Sequence, residues 1–448
     1  MGQARISTKI PGPRSSALFE EEQRHIAPGL QSIALLAGIA IERGYGAIVE
    51  DVDGNRFIDF SAGVGVASLG HAHPRFVEAI ARQAGQIVVG SFTSQPRAKL
   101  TRLIADLAPG DLSRVQYYSG GAEAVEAAIR LAKAYTGKFE VIGFWGGFHG
   151  KTGGVLGLVG NEFKHGLGPL HPGLYSSPYA YCYRCPFDAT FPECDFLCVR
   201  FLREKIRFET TNNVAAIIVE PCQGTAGNIV PPPGYLRKLR ELADEIGALL
   251  IADEIITGFG RTGRMFACEH DAMVPDIITF GKGVASGFPL SGIIVRESIA
   301  FAKPFANPSG SSSSYGGNPL AAAAALATIQ TIIDEGLVEH AERMGYFFLA
   351  RLRSLAERIP IIGDVRGRGL LIGVELVKDR RTREPLDERH TQQLFQLCLS
   401  RGLIVMAYKP QVRINPPLVI DEATAEEGLE IFASCLEDLA TVVLEEQA

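Results

Sequence analysis

The chain has no uninterrupted apolar run of about 18 residues, the length a membrane-spanning helix needs, so it is expected to have no membrane span. It also lacks an excess of positive charge. Its 44 Lys and Arg against 50 Asp and Glu leave a net charge of −6 and a pI near 5.9. Without a basic stripe to neutralise phosphates, nucleic acid is excluded as the main partner, and no appended helix-turn-helix is visible. The N-terminal stretch MGQARISTKIPGPRSS has basic residues but no apolar core behind them, so it does not read as a secretory signal. Ile6 stands where N-myristoylation would require Ser or Thr. Internal repeats are absent, and SGSSSS at 309–314 is the one short biased tract. These absences predict a cytoplasmic protein with a flexible N-terminal arm.

Cysteine is sparse as well. Eight in 448 residues do not make a secreted disulfide scaffold. Four of them crowd into YCYRCPFDATFPECDFLC as Cys182, Cys185, Cys194 and Cys198. The spacing C-x2-C-x8-C-x3-C could hold zinc or an iron–sulfur cluster, or the thiols could simply be packed in a surface insertion. The short x8 spacer fits no common zinc module, and no metal is assigned.

What is present describes a globular chain with a sizeable core, 46% hydrophobic and 21% charged. YGAIVEDVDGNRFIDFSAG (45–63) reads as a hairpin around Asp53-Gly54-Asn55. A helix follows from Pro74 to about Gly85, with Phe76, Ile80 and Ala84 at helical spacing. Beyond residue 100, helical patterns alternate with short apolar runs at 115–119, 139–145, 215–220, 248–254 and 276–280. Such runs between helices are strands of a buried parallel sheet, and ligands collect at the carboxyl ends of those strands. Ser119, Trp145, Glu220 and Asp253 fall at those ends, with Lys282 just after the last. A strong helix begins after Pro319, and a second α+β region runs from about 335 to the C-terminus.

Several segments near those ends have the chemistry of a cofactor site. Lys282 sits in a glycine-flanked turn, and a lysine in a desolvated pocket can become a neutral amine able to form a Schiff base. Asp253 ends an apolar run, as an acid paired with a pyridinium nitrogen would. SGGAEAVEAAIRLAK (119–133) leads a glycine pair into a helix, where free N–H groups and the helix dipole favour a phosphate. FWGGFHGKT (144–152) offers Phe148 for stacking and His149 beside it. SSSSYGGNPL (311–320) adds hydroxyls before another helix, and Arg413 in RINPPL has the planar fork that suits a carboxylate. Each segment alone has a plain structural reading. The pairing of Lys282 with Asp253 in this company points to pyridoxal 5'-phosphate (PLP) chemistry.

The ordered set SGGAEAVEAA, FHGKT, EPCQGTAG, DEIITGFGRTG, PDIITFGKG, SYGGNPLAAAAAL, VRGRGLLIGVEL and RINPPL resembles the class III PLP-dependent aminotransferases, from about residue 30 onward. The resemblance implies the fold-type I α/β architecture. A large domain with a mostly parallel seven-stranded sheet would cover 75–334, and a smaller α+β domain would be built from 1–74 and 335–448. It also implies a homodimer, or a dimer of dimers, with shared active sites. Lys282 matches the family's Schiff-base lysine and Asp253 the partner of the pyridine nitrogen. Phe148 and Ile255 match the residues on the two faces of the ring, with His149 alongside. Gly120, Gly121 and Ala122 match the phosphate-binding turn, and Ser314 a phosphate contact lent by the neighbouring subunit. Glu220 and Gln223 match positions behind the cofactor. Val64, Lys151, Thr225 and Arg413 match substrate-binding positions, Arg413 for the α-carboxylate. The implied reaction moves an amino group from an ω-amino acid, amino acid or amine to a 2-oxo acid (pyruvate or 2-oxoglutarate) in two half-reactions. A racemase, epimerase or aminomutase on the same scaffold is the alternative, and a catalytically silent PLP-binding homologue is a third reading.

Three departures bear on substrate. Thr225 stands where the 4-aminobutyrate branch carries a glutamate, Lys151 where it carries an arginine, and Ile256 where it carries a glutamine. Lysine keeps the charge but loses bidentate geometry. Thr225 and Ile256 look more like the ω-amino acid:pyruvate side of the family.

Overall fold

The computed structural model describes residues 2–160 and 162–447, which divide into two compact units, Met1–Pro74 with Glu339–Ala448, and Arg75–Val338. In the second unit seven strands form one sheet. They are β1 (Leu112–Tyr118), β2 (Glu140–Phe144), β3 (Leu174–Ser177), β4 (Val214–Val219), β5 (Leu249–Asp253), β6 (Ile277–Phe280) and β7 (Ser291–Arg296). Their order across the sheet is β1-β7-β6-β5-β4-β2-β3. All neighbours run parallel except β7, which is antiparallel to both β1 and β6.

The central strands are apolar because helices cover both faces of such a sheet. Every residue of β4, β5 and β6 is buried. The helix α1 (Gly121–Thr136) packs on it through Ala124, Val125, Ala127, Ala128, Leu131 and Ala132. That alanine-rich face brings the helix axis close to Ile218, Ile251, Ile277 and Ile293 of the strands beneath. The chain leaves β2 outward to β3 and then crosses back to β4, so the order reverses between the adjacent strands β2 and β4. A crevice opens at the carboxyl ends of two such strands. Glu220 follows β4 there, and the loop Trp145–Gly150 follows β2.

The first unit joins chain from both ends of the sequence. The hairpin of Ile48–Asp51 and Arg56–Asp59 is antiparallel, and Leu403–Ile404 pairs parallel with Arg56–Asp59 in the same sheet. A second sheet holds Ile362–Arg368, Leu371–Asp379 and Gln411–Ile414. Among the described residues no single helix is long and apolar enough to cross a membrane.

Candidate active site

Of the residues that the sequence singles out in the second unit, Asp253, His149, Glu220, Phe148, Gln223, Ile255 and Gly121 meet at the carboxyl edge of its sheet. Asp253 is the last residue of β5 and is 2% exposed. A buried carboxylate needs donors, and Asp253 has three. His149 Nδ1 lies 2.6 Å from its Oδ2, while the Thr279 hydroxyl donates to Oδ1 at 2.9 Å and the Ile255 N–H at 3.2 Å. A carboxylate offers about four acceptor sites, so room remains for one further donor. Burial works to lower the His149 imidazole, but the hydrogen bond and charge of Asp253, with the charge of Glu220, outweigh it and hold the ring above its ordinary value. The pair is a buried contact between an imidazole and a carboxyl group.

Glu220 extends this network. Its Oε1 accepts from the Phe148 N–H at 2.8 Å and its Oε2 from the Gly224 N–H at 3.0 Å. Burial pushes its carboxyl up to about 7 despite the nearby His149, and the charge of Asp253 adds to the rise. Gln223, on the same loop, donates from Nε2 to the Trp145 carbonyl at 2.8 Å. Two loops from neighbouring strands are thereby stitched together beside Asp253.

Lys282 follows β6 by one glycine and adopts a left-handed backbone, φ +42°, uncommon for a residue with a side chain. It is half-buried. Ile255 packs between the two glycine turns: a Cβ built on Gly121 would meet its Cδ1 at 3.0 Å, and one on Gly281 would meet its Cγ2 at 3.6 Å. At Gly121 a side chain would press on Ile255, whereas at Gly281 the same contact is of ordinary van der Waals length. At the start of α1 the Glu123 carboxylate accepts from the N–H groups of Ser119 and Gly120, both at 2.9 Å. The N–H groups of Gly121 and Ala122 come next, in the first helical turn, where no acceptor exists within the helix.

Phe148 is half-buried, with Phe163 edge-on at 5.9 Å between ring centroids. The Lys151 ammonium stands over Phe163, 4.0 Å from its centroid, and is exposed. Thr225 is half-buried on the Gln223 loop, and Ser314 is exposed in the loop before Pro319. Val64 and Arg413 belong to the other unit. Val64 has φ +67°, a strained setting for a β-branched residue and the kind of outlier that clusters at functional sites. Arg413 is half-buried on Gln411–Ile414, with Nη2 3.4 Å from the Tyr408 hydroxyl.

Sequence reasoning overlooked Thr279, which orients Asp253, and Ser291, whose hydroxyl donates to the Gly120 carbonyl at 2.8 Å. Thr279 stands opposite Asp253 on the neighbouring strand, a register that the residue pattern of DIITF does not reveal. The four clustered cysteines are all free thiols lining one apolar cavity together with Phe187, Phe191 and Phe196. Among the described residues no group of three or more His, Cys, Asp and Glu stands in a metal-holding arrangement.

The set suits a phosphorylated pyridine aldehyde. It supplies a spare acceptor site on a buried acid for a ring N–H, a helix N-terminus for a dianion, and a lysine near both. Comparison with known proteins agrees. Residues 32–436 match the family described as Aminotransferase class-III. An alanine/serine racemase from Pyrococcus horikoshii is 37% identical, the alignment covering 98% of this chain and 94% of the relative. A 4-aminobutyrate aminotransferase from Mycobacterium bovis is also 37% identical, covering 97% and 98%. The structure of the ω-transaminase from Pseudomonas jessenii in complex with PMP superimposes with a TM-score of 0.90 at 29% identity, covering 95% of this chain and 99% of that one. The chain belongs to the class III aminotransferases.

Proposed function

We propose that the protein is a PLP-dependent aminotransferase that moves an amino group from an ω-amino acid or amine to a 2-oxo acid. The observation that carries the reading is Asp253. It is buried, held by three donors, and keeps one acceptor position at the strand edge near the lysine turn. When bound, PLP supplies an aldehyde that takes up the amino group and a ring that accepts electron density from the substrate.

In this reading Asp253 pairs with the ring nitrogen, and His149 keeps the acid in place. The Gly121 and Ala122 N–H groups bind the phosphate. Phe148 and Ile255 bracket the ring and exclude water. The Lys282 amine would hold the cofactor and would carry a proton from the substrate carbon. Arg413 binds a substrate carboxylate, and Thr225 and Ile256 favour pyruvate-side substrates.

A homodimer is part of the proposal. Ile87, Val88, Val89 and Phe92 form an exposed apolar run, with Phe92 88% exposed, and such patches mark association surfaces. A second reading, racemisation, is favoured by the 37% identity to the alanine/serine racemase.

The test is product formation. Purified protein with PLP, a panel of ω-amino acids and amines, and pyruvate should yield alanine with some donors. Absence of amino transfer to both pyruvate and 2-oxoglutarate across the panel would overturn the proposal.

A further inference from the structure

Glu220 is buried, ionisable and not used by the chemistry proposed above. Yet its two oxygens each accept one backbone N–H, Phe148 from the loop after β2 and Gly224 from the loop after β4. The Tyr179 hydroxyl fastens the same corner from behind, donating to the Glu220 carbonyl at 3.0 Å and the Pro221 carbonyl at 3.2 Å. The ionisable side chains that act on the carboxylate are His149 and Asp253, both in the same buried network.

We infer that Glu220 is a positioning residue whose ionised carboxylate clamps the Phe148 loop to the Gln223–Gly227 loop, and that protonating it opens the clamp. The inference rests on the proposed cofactor role of Phe148 and names what holds that ring in place. A carboxylate accepts at both oxygens. A carboxylic acid keeps one full acceptor, while its hydroxyl oxygen carries a proton and accepts far more weakly. The hydrogen bond from either Phe148 or Gly224 is thereby weakened. Two opposed effects decide where this happens. Burial and Asp253 favour the neutral form, while His149 and the two N–H groups favour the anion, and the balance lies near pH 7. The clamp is therefore closed above that pH and open below it.

Trp145, the sole tryptophan of the chain, sits three residues before Phe148 in the clamped loop. Its carbonyl accepts from Gln223, so the loop carries its own spectroscopic reporter.

The experiment measures backbone hydrogen exchange in peptides spanning 144–152 and 220–228 of the full-length holoenzyme. Exchange is taken relative to the unfolded chain at each pH, and Trp145 fluorescence is followed in parallel. In wild type both segments should be at least tenfold better protected at pH 8 than at pH 6, with a fluorescence midpoint near 7. Glu220→Gln, neutral at every pH, should exchange like acidified wild type throughout. Glu220→Asp should recover part of the pH dependence. If Glu220→Gln does not fold, the wild-type titration decides alone. Wild-type protection that is flat from pH 6 to 8, or Glu220→Gln indistinguishable from wild type, would overturn the inference. The readout does not require turnover. An enzyme that transaminates without this pH response loses the clamp only, and a pH response without amino transfer loses the functional reading only.

Discussion

Replacing Asp253 with asparagine keeps the shape and removes the charge at the centre of the site. The asparagine oxygen can retain the Thr279 and Ile255 donors, which leaves its amide nitrogen facing His149 Nδ1 across a 2.6 Å contact. Two donors cannot share that distance unless His149 gives up its proton and accepts instead. With the carboxylate gone, burial is the dominant remaining influence on the imidazole and acts to lower it.

In wild type the folded His149 lies above its ordinary value of 6.5. Its stabilising contribution is therefore complete below about 6.5 and is lost as pH rises through the folded value. In Asp253→Asn the sign reverses, and stability should fall as pH drops below 6.5. The stability gap between the two proteins should thus be widest in mild acid. For catalysis, a unit charge in contact with a buried cationic partner is worth about 4 kcal/mol at an effective dielectric near 20. That corresponds to a loss of about 10³-fold in rate. The assays are single-turnover amino transfer, and NMR titration of His149 in selectively labelled protein. A rate loss under about tenfold, or a His149 titration unchanged by the substitution, would refute the coupling of Asp253 and His149.

Other outcomes follow from the same geometry. Lys282→Ala should abolish turnover, leaving less than about 10⁻³ of the rate, while cofactor still binds; a turnover assay beside measured PLP content checks it. Arg413→Leu should raise KM about 10- to 100-fold for donors with an α-carboxylate, the worth of a charge-assisted pair, and leave KM for simple amines unchanged. Gly292→Ala on β7 would put a Cβ 2.4 Å from the Gln116 carbonyl and 2.5 Å from the Phe280 ring. It should cost about 1–3 kcal/mol, read as a shifted urea midpoint at constant slope.

Much of this arrangement was legible in the sequence, and the rest was not for definable reasons. Strands β2, β4, β5 and β6 announce themselves as continuous apolar runs because helices cover both faces. β3, LYSS, escaped notice: it is an edge strand, half-buried over most of its length, with no apolar run. β7 begins only ten residues after Gly281 and reads as part of the lysine turn, though it returns antiparallel through the sheet. Asp253 and Lys282 stand out because an acid and a lysine interrupt apolar or glycine-rich sequence. Thr279 and Ser291 do not, since a hydroxyl on a strand is ordinary. Glu220 was placed by its position after a strand, but its hold on two loops depends on backbone donors that no residue pattern reveals. The left-handed backbone of Val64 is equally invisible in sequence, where valine suggests an extended chain.

The most direct test of the central claim is a half-reaction. Holoenzyme is titrated with an ω-amino acid or amine in the absence of any oxo acid, and both the cofactor spectrum and the released carbonyl compound are followed. An aminotransferase should convert its cofactor to the PMP form and release one carbonyl product per active site, after which pyruvate should restore the starting spectrum. If the cofactor spectrum persists, no carbonyl product appears and optically pure α-amino acids lose their purity, amino transfer is wrong and the protein is a racemase.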